Sequence, residues 1–188
     1  LTAEDPNFEI GGFLAHPETR RHYRHAQGDV GDLFAPGTGR LRVVEQHQRT
    51  TKQAASVSNF NLIGAAQVGK ASLAGMRLLH RLHPHLPLWP LDPVPTTGPL
   101  LVEIYTGVAA RATGMAAGRS KIRDGAALDT ALAVLGSPPL GMTGPTSDHA
   151  SDALMAAAWL RAVANNPASW SPPPLTDPLP CTEGWTFG

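Results

Sequence analysis

An α/β fold is the expectation for this chain, and two observations carry it. Short apolar runs that suit a pleated surface occur at residues 41–45 (LRVVE), 57–63 (VSNFNLI) and 100–105 (LLVEIY). Between and after them lie stretches whose apolar residues recur at helical spacing. A chain of 188 residues, 42% of them hydrophobic, is most simply one domain, able to bury about 70% of its unfolded surface. That domain is expected over residues 1–166, with residues 167–188 a Pro-rich extended tail that packs back on it.

The run at 100–105 organises the rest. It reads as a buried strand that carries one carboxylate, Glu103. A charge desolvated there has to be paired or neutralised. Arg111, Arg119, Lys121 and Arg123 follow within about twenty residues, one helix downstream. Net charge is zero but unevenly spread: residues 53–125 hold seven Lys/Arg against three Asp/Glu, and residues 126–188 hold one against five. A basic middle and an acidic end suit a site where cations meet a polyanion and carboxylates meet a metal, or two halves that neutralise each other.

Taken in order, residues 16–25 (HPETRRHYRH) gather His16, His22 and His25 among three arginines. Their spacing matches no zinc pattern, so a solvated basic helix face is the better reading. A Gly/Pro loop leads to the strand-like run at 41–45, and the run at 57–63 reads as a strand or a turn into a helix. Leu73, Met76, Leu79 and Leu82 then form a helical stripe expected to be core, with Arg77 and Arg81 on another side. His80, His83 and His85 cluster at that helix's exit, where positive groups complement its dipole. Prolines punctuate residues 85–95 and argue against a central strand there.

Thr106 can cap a helix running to about Gly114. Ser120 or Asp124 can cap the next, whose Ala127, Leu128, Ala131, Leu132 and Leu135 repeat at helical spacing until Gly136. Ser147 or Asp148 starts the clearest helix, closed by Pro167. Six prolines follow within residues 167–180, and Trp185 and Phe187 in the last stretch can dock the tail. No apolar run approaches the roughly eighteen residues of a membrane span, and no signal peptide is visible. The single Cys181 excludes an internal disulfide and fits a reducing compartment, so a cytoplasmic location is expected.

Two constellations could carry chemistry. Residues 64–72 (GAAQVGKAS) read G-x-x-x-x-G-K-A, one residue from a phosphate-binding P-loop. The position that should place a hydroxyl on magnesium is Ala71, and Ser72 is offset by about 100° around a helix. A glycine-permitted tight helix start explains the pattern better than nucleotide hydrolysis. The second constellation is acidic. Asp148 and Asp152 lie four apart and share one helix face. Asp148 can be explained as a cap; Asp152 sits too deep for that. A strand carboxylate with helix-borne aspartates is what two-metal phosphoryl chemistry asks for, with magnesium or manganese as the ions. Lys121 and His149 are the acid–base or supporting candidates. No nucleophile elbow and no sequence-specific DNA-binding pattern is present.

The runs NFNLIGAAQVGKASLAGMRLLHRL, LPLWPLDP, GPLLVEIYTGVAAR, GRSKIRD, SDHASDALMAAAWLRA and TEGWTFG occur in that order. Together they resemble a bacterial family of uncharacterised proteins described as predicted nucleases with an RNase H-like fold. The likeness spans roughly residues 8–188, and VEIY, the D-A segment of the last helix and the EGW-F-G ending are its most specific parts. It implies an RNase H-like mixed central sheet flanked by helices, with a divalent-metal site of acidic residues. Glu103 matches the mid-chain carboxylate, and Asp152, with Asp148 beside it, matches the last-helix one. The first-strand aspartate has no counterpart, so the expectation is either a chain without its N-terminal strand, through truncation or a start placed too late, or a degraded site; in each case one ligand is missing.

The expected function is therefore a metal-dependent nuclease. Glu103, Asp148 and Asp152 would hold Mg or Mn, and Arg119, Lys121, Arg123, Lys70 and Gln67 would contact phosphate of a DNA or RNA partner. The alternatives are a non-catalytic nucleic-acid or nucleotide-binding module whose acids are structural partners of arginine, and a P-loop-like NTPase dependent on Lys70.

Overall fold

The computed structural model describes residues 10–37, 39–116 and 121–188. The chain divides into two compact units: Leu1–Gln46 with Ser56–Leu101, and His47–Ala55 with Val102–Gly188.

In the first unit, α1 (Ile10–Ala15) and α2 (Pro17–Arg20) precede β1 (Arg24–Ala26) and β2 (Asp29–Val30), which pair antiparallel. Helix α3 (Val43–Thr50) starts in this unit and ends in the second, and α4 (Val68–Leu82) belongs to the first. The small core of this unit joins Tyr23, Leu62 and Leu73, with Phe13, Leu14 and Phe60 packed against them. Tyr23 meets Phe60 edge to face at 5.3 Å between ring centroids, a favoured geometry for aromatic pairs.

Among the described residues the protein is mostly helical and its one sheet is the two-stranded β1–β2 pair, which overturns the expected RNase H-like mixed central sheet. Each of the three strand-like runs goes elsewhere, for a physical reason. Residues 41–45 run into α3. Glu45 sits three residues after Arg42 and takes its backbone N–H at 2.7 Å and its guanidinium at 2.8 Å, which closes the helix start as a capping residue does. The helix formers that follow outweigh two valines. Residues 57–63 contribute one bridge, Arg24 with Asn61, before a turn. The run at 100–105 also makes isolated bridges: Leu101 with Leu88 in the first unit, and Glu103 with Thr186 in the second. Leu101 donates to the Pro87 carbonyl and accepts from the Trp89 N–H, both at 2.9 Å. The chain then turns, with Asp92 donating its N–H to the Leu88 carbonyl at 2.8 Å, and the pairing goes no further. Glu103 is exposed, not buried in a central strand.

The start of α4 explains the P-loop look of residues 64–70. Gly69 is buried, and a Cβ there would stand 2.5 Å from the Asn59 carbonyl oxygen and 2.9 Å from Leu62 Cδ2. Gly75, one and a half turns on, has nothing within 4 Å. Gly69→Ala is therefore expected to cost about 1–3 kcal/mol by overpacking, whereas Gly75→Ala gains roughly 0.5–1 kcal/mol. Urea denaturation of the two variants checks the contrast, and equal effects would contradict it. Of the stripe expected to be core, Leu73 is buried, while Met76 and Leu79 are exposed.

Downstream of α4, Asp92 accepts the Leu88 N–H at 2.7 Å and lies 3.0 Å from His83. The Leu88 hydrogen bond, then His83, holds its carboxyl below the usual range. A group with a depressed folded pKa stabilises fully above its unfolded value, and that contribution disappears as pH falls through the folded one. Asp92→Asn should therefore flatten the acid side of the stability profile below the ordinary carboxylate range. An unchanged acid limb in a urea series from pH 6 to 2 would contradict this.

The second unit is built on α5 (Thr106–Ala112), α6 (Gly125–Val134) and α7 (Asp148–Val163), followed by the single turns α8 (Pro167–Trp170) and α9 (Leu179–Thr182). Helix α7 packs against both α5 and α6. Val108, Ala109 and Ala110 of α5, Leu128, Ala131 and Leu132 of α6, and Met155, Ala158 and Trp159 of α7 are buried. Thr106 is the first residue of α5 rather than its cap; Tyr105 holds the cap position without a side-chain bond. Asp124 caps α6, accepting from the Ala127 N–H at 3.0 Å, and Ser147 caps α7, accepting from Ala150 at 3.2 Å.

The segment after α7 is not extended throughout. Proline suits the first helical turn, where its missing N–H costs no bond, and prolines open both α8 and α9. The chain end then docks. Phe187, fully buried, lies 4.4 Å from the Trp170 ring and 6.1 Å from Trp159, and its N–H donates to the Glu103 carbonyl at 2.8 Å.

Candidate functional site

In the second unit, the segment before α6 carries Lys121, Ile122 and Arg123. Alternation in an extended chain sends the two cations to one side and the isoleucine to the other. Ile122 is buried and both cations are exposed. Backbone pairing fixes the segment beside the loop that leads into α7. Thr146 donates to the Arg123 carbonyl and Gly125 to the Gly144 carbonyl, each at 2.9 Å, around a bridge between Asp124 and Pro145. A Cβ on Gly125 would come within 2.4 Å of the Met142 carbonyl oxygen, so the close approach needs glycine.

That pairing brings the two cations to the two aspartates. Lys121 Nζ donates to Asp152 Oδ2 at 2.7 Å. Arg123 binds Asp148 with both arms of its fork, Nε to Oδ1 at 2.7 Å and Nη2 to Oδ2 at 3.0 Å. The acids are partly shielded, with side chains 25% exposed for Asp148 and 16% for Asp152, while Lys121 and Arg123 reach solvent at 51% and 74%. Beneath them Ser151 is fully buried, and its hydroxyl donates to the Ile122 carbonyl at 2.7 Å, with a second acceptor in the Asp148 carbonyl at 3.1 Å.

The electrostatics follow the geometry. Arg123, first through its hydrogen bonds and then through its charge, holds the Asp148 carboxyl below the usual range; Lys121 and His149 add to this. The hydrogen bond to Asp152 raises the Lys121 ammonium above its ordinary value, and Asp148 also acts on it. Asp148 raises Arg123 in turn. Asp148 is thus ionised and Lys121 protonated throughout the neutral range.

Five residues singled out in the sequence, Lys121, Arg123, Asp148, His149 and Asp152, therefore interact in one place. Arg119 and Ser120 lie outside the described residues. Glu103 stands on the bridge to Thr186, and no group of three or more His, Cys, Asp or Glu side chains suited to a metal gathers among the described residues. Lys70 and Gln67 belong to the first unit, where both are exposed at the start of α4. Ser72 donates its hydroxyl to Asn59 Oδ1 there. Sequence reasoning missed Ser151 and the one-to-one pairing of cations with acids. The available signal was the Lys-Ile-Arg alternation set against two aspartates one helical turn apart.

The two carboxylates near the start of α7 are oxygen donors, each already bonded to a cation. Magnesium and manganese accept carboxylate oxygens, and magnesium usually keeps water and takes one or two carboxylates together with substrate phosphates. Asp148 and Asp152 offer that pair; they do not offer a closed protein cage. No protein-family model matches the chain, and no curated protein or solved structure matches it either. No helix among the described residues is long and apolar enough to cross a membrane.

Proposed function

We propose that the start of α7 is the site of a metal-dependent phosphodiesterase that acts on nucleic acid. The observation that supports this is the joint placement of Asp148, Asp152, Lys121 and Arg123, two shielded carboxylates each beside a solvent-reaching cation. Exposed ion pairs add little to stability, because water and salt screen them. The pairing is better explained by what the four groups can bind together. Asp148 and Asp152 would hold Mg or Mn, which when bound polarises a phosphoryl oxygen and lowers the pKa of water. Lys121 and Arg123 reach outward from the same place and suit the charge of a phosphodiester, Arg123 with a planar fork and Lys121 as a point charge. A lysine with a raised pKa makes a poor base at neutral pH. Lys121 therefore acts by charge, contacting phosphate, and not by taking a proton.

One observation favours a second reading. Each acid already has a cation at 2.7 Å, as it would in a non-catalytic nucleic-acid-binding module whose aspartates only position Lys121 and Arg123. Incubation of the protein with single- and double-stranded DNA and RNA in Mn²⁺, Mg²⁺ or EDTA separates the two. Cleavage that EDTA stops is expected. Binding without cleavage in either metal would move the assignment to the second reading.

A further inference from the structure

We infer that Ser151 is the positioning residue of this site: its buried hydroxyl sets the segment bearing Lys121 and Arg123 against the first turns of α7. Its hydroxyl bonds two backbone carbonyls, those of Ile122 and Asp148, and none of the four charged groups. Its Oγ donates at 2.7 Å to the carbonyl of Ile122, the residue between the two cations. It lies in α7 between the two acids, one residue before Asp152 and three after Asp148. One hydrogen bond thus ties the residue between the two cations to a residue of α7 that lies between the two acids.

Ser151 is fully buried, so its bond to Ile122 does not compete with bulk water, and removing the hydroxyl leaves a buried carbonyl without that donor. The remaining backbone restraints on the segment among the described residues, Thr146 to Arg123 and Gly125 to Gly144, act on its downstream half. Upstream of Arg123, among the described residues, the serine bond is the one that ties the segment's backbone to α7; the Lys121 side chain adds its own bond to Asp152. Lys121 should therefore be the group most sensitive to its loss. A helical serine could also merely bond back to its own helix, as serines often do. Here that bond, to Asp148 at 3.1 Å, is the longer of the two, and the shorter one crosses to another segment.

The consequence for catalysis rests on the phosphodiesterase reading; the positioning does not, and the test keeps them apart. The chain has three lysines, Lys52, Lys70 and Lys121, so a ¹⁵N spectrum of the lysine ammonium groups is simple to assign. In the metal-free protein the Lys121 ammonium, held by Asp152 at 2.7 Å, should give a more slowly exchanging signal than Lys52 and Lys70. Ser151→Ala should merge it with the other two, and Ser151→Thr, which keeps the hydroxyl, should restore it. A folded Ser151→Ala protein with an unchanged Lys121 signal overturns the inference. If Ser151→Ala fails to melt cooperatively, Ser151→Cys, with similar volume and a weaker donor, decides in the same way: a merged signal supports positioning and a wild-type signal overturns it. Under the phosphodiesterase reading, Ser151→Ala should also lower cleavage about 10–100-fold, the usual effect of removing a group that orients a ligand. A merged Lys121 signal with no cleavage by the wild type would leave the positioning intact and remove the enzyme.

Discussion

Replacing Asp152 by Asn is expected to lower manganese-dependent nucleic-acid cleavage by at least about 100-fold while the protein stays folded. The substitution keeps the shape of the side chain and removes its charge. Asp152 lies a full turn into α7, past the cap that Ser147 provides, so it has no role in starting the helix. Its hydrogen bond is to a half-exposed lysine, and losing that pair should move the melting midpoint little. A large loss of activity with a small change in stability is the signature of a ligand. A melting loss that accompanies the activity loss would mark Asp152 as a structural partner of Lys121 instead. Asp148→Asn should behave alike in cleavage, since it removes the carboxylate charge that Arg123 holds below its usual pKa range.

The largest expected effect on stability lies at the other end of the second unit. Phe187→Ala should destabilise by about 3–5 kcal/mol, the range for a fully buried aromatic. The ring is enclosed with Trp170 and Trp159, and the backbone of the same residue bonds to Glu103. The ending is therefore part of the core and not an appended tail. Urea denaturation followed by tryptophan fluorescence reads both the loss and the altered environment of the two indoles. A loss below about 1 kcal/mol would mean that the end of the chain is not docked as described.

Local signals were the legible ones. Residue type and position narrow the helix starts to Ser120 or Asp124 and to Ser147 or Asp148, because a cap bonds to a backbone N–H two or three residues away; the structure selects Asp124 and Ser147. Of Ala127, Leu128, Ala131, Leu132 and Leu135, which repeat at helical spacing, the last four are buried and Ala127 is exposed. Asp148 and Asp152 could be placed on one face for the same reason.

What failed was non-local. A strand exists only if a partner runs beside it, and no periodicity in residues 41–45, 57–63 or 100–105 says whether one does. Prolines between 84 and 99 left the last run with single bridges. The expectation of a buried Glu103 rested on that strand and went with it. The stripe on α4 was misjudged for a related reason: spacing identifies an apolar face but not what covers it, and Met76 and Leu79 are exposed. The pairing of Lys121 with Asp152 and Arg123 with Asp148 rests on the backbone contact between residues 123–125 and 144–146 and on the Ser151 bond to Ile122, which no motif announces.

The most direct test of the central claim is a cleavage assay of the wild type and the Asp148→Asn/Asp152→Asn double variant, in Mn²⁺ and in EDTA, beside thermal melts of both proteins. Metal-dependent cleavage by the wild type, absent in a double variant that still melts cooperatively, is the predicted result. A folded wild type that cleaves neither DNA nor RNA in Mn²⁺ or Mg²⁺, or a double variant that cleaves as the wild type does, would contradict it.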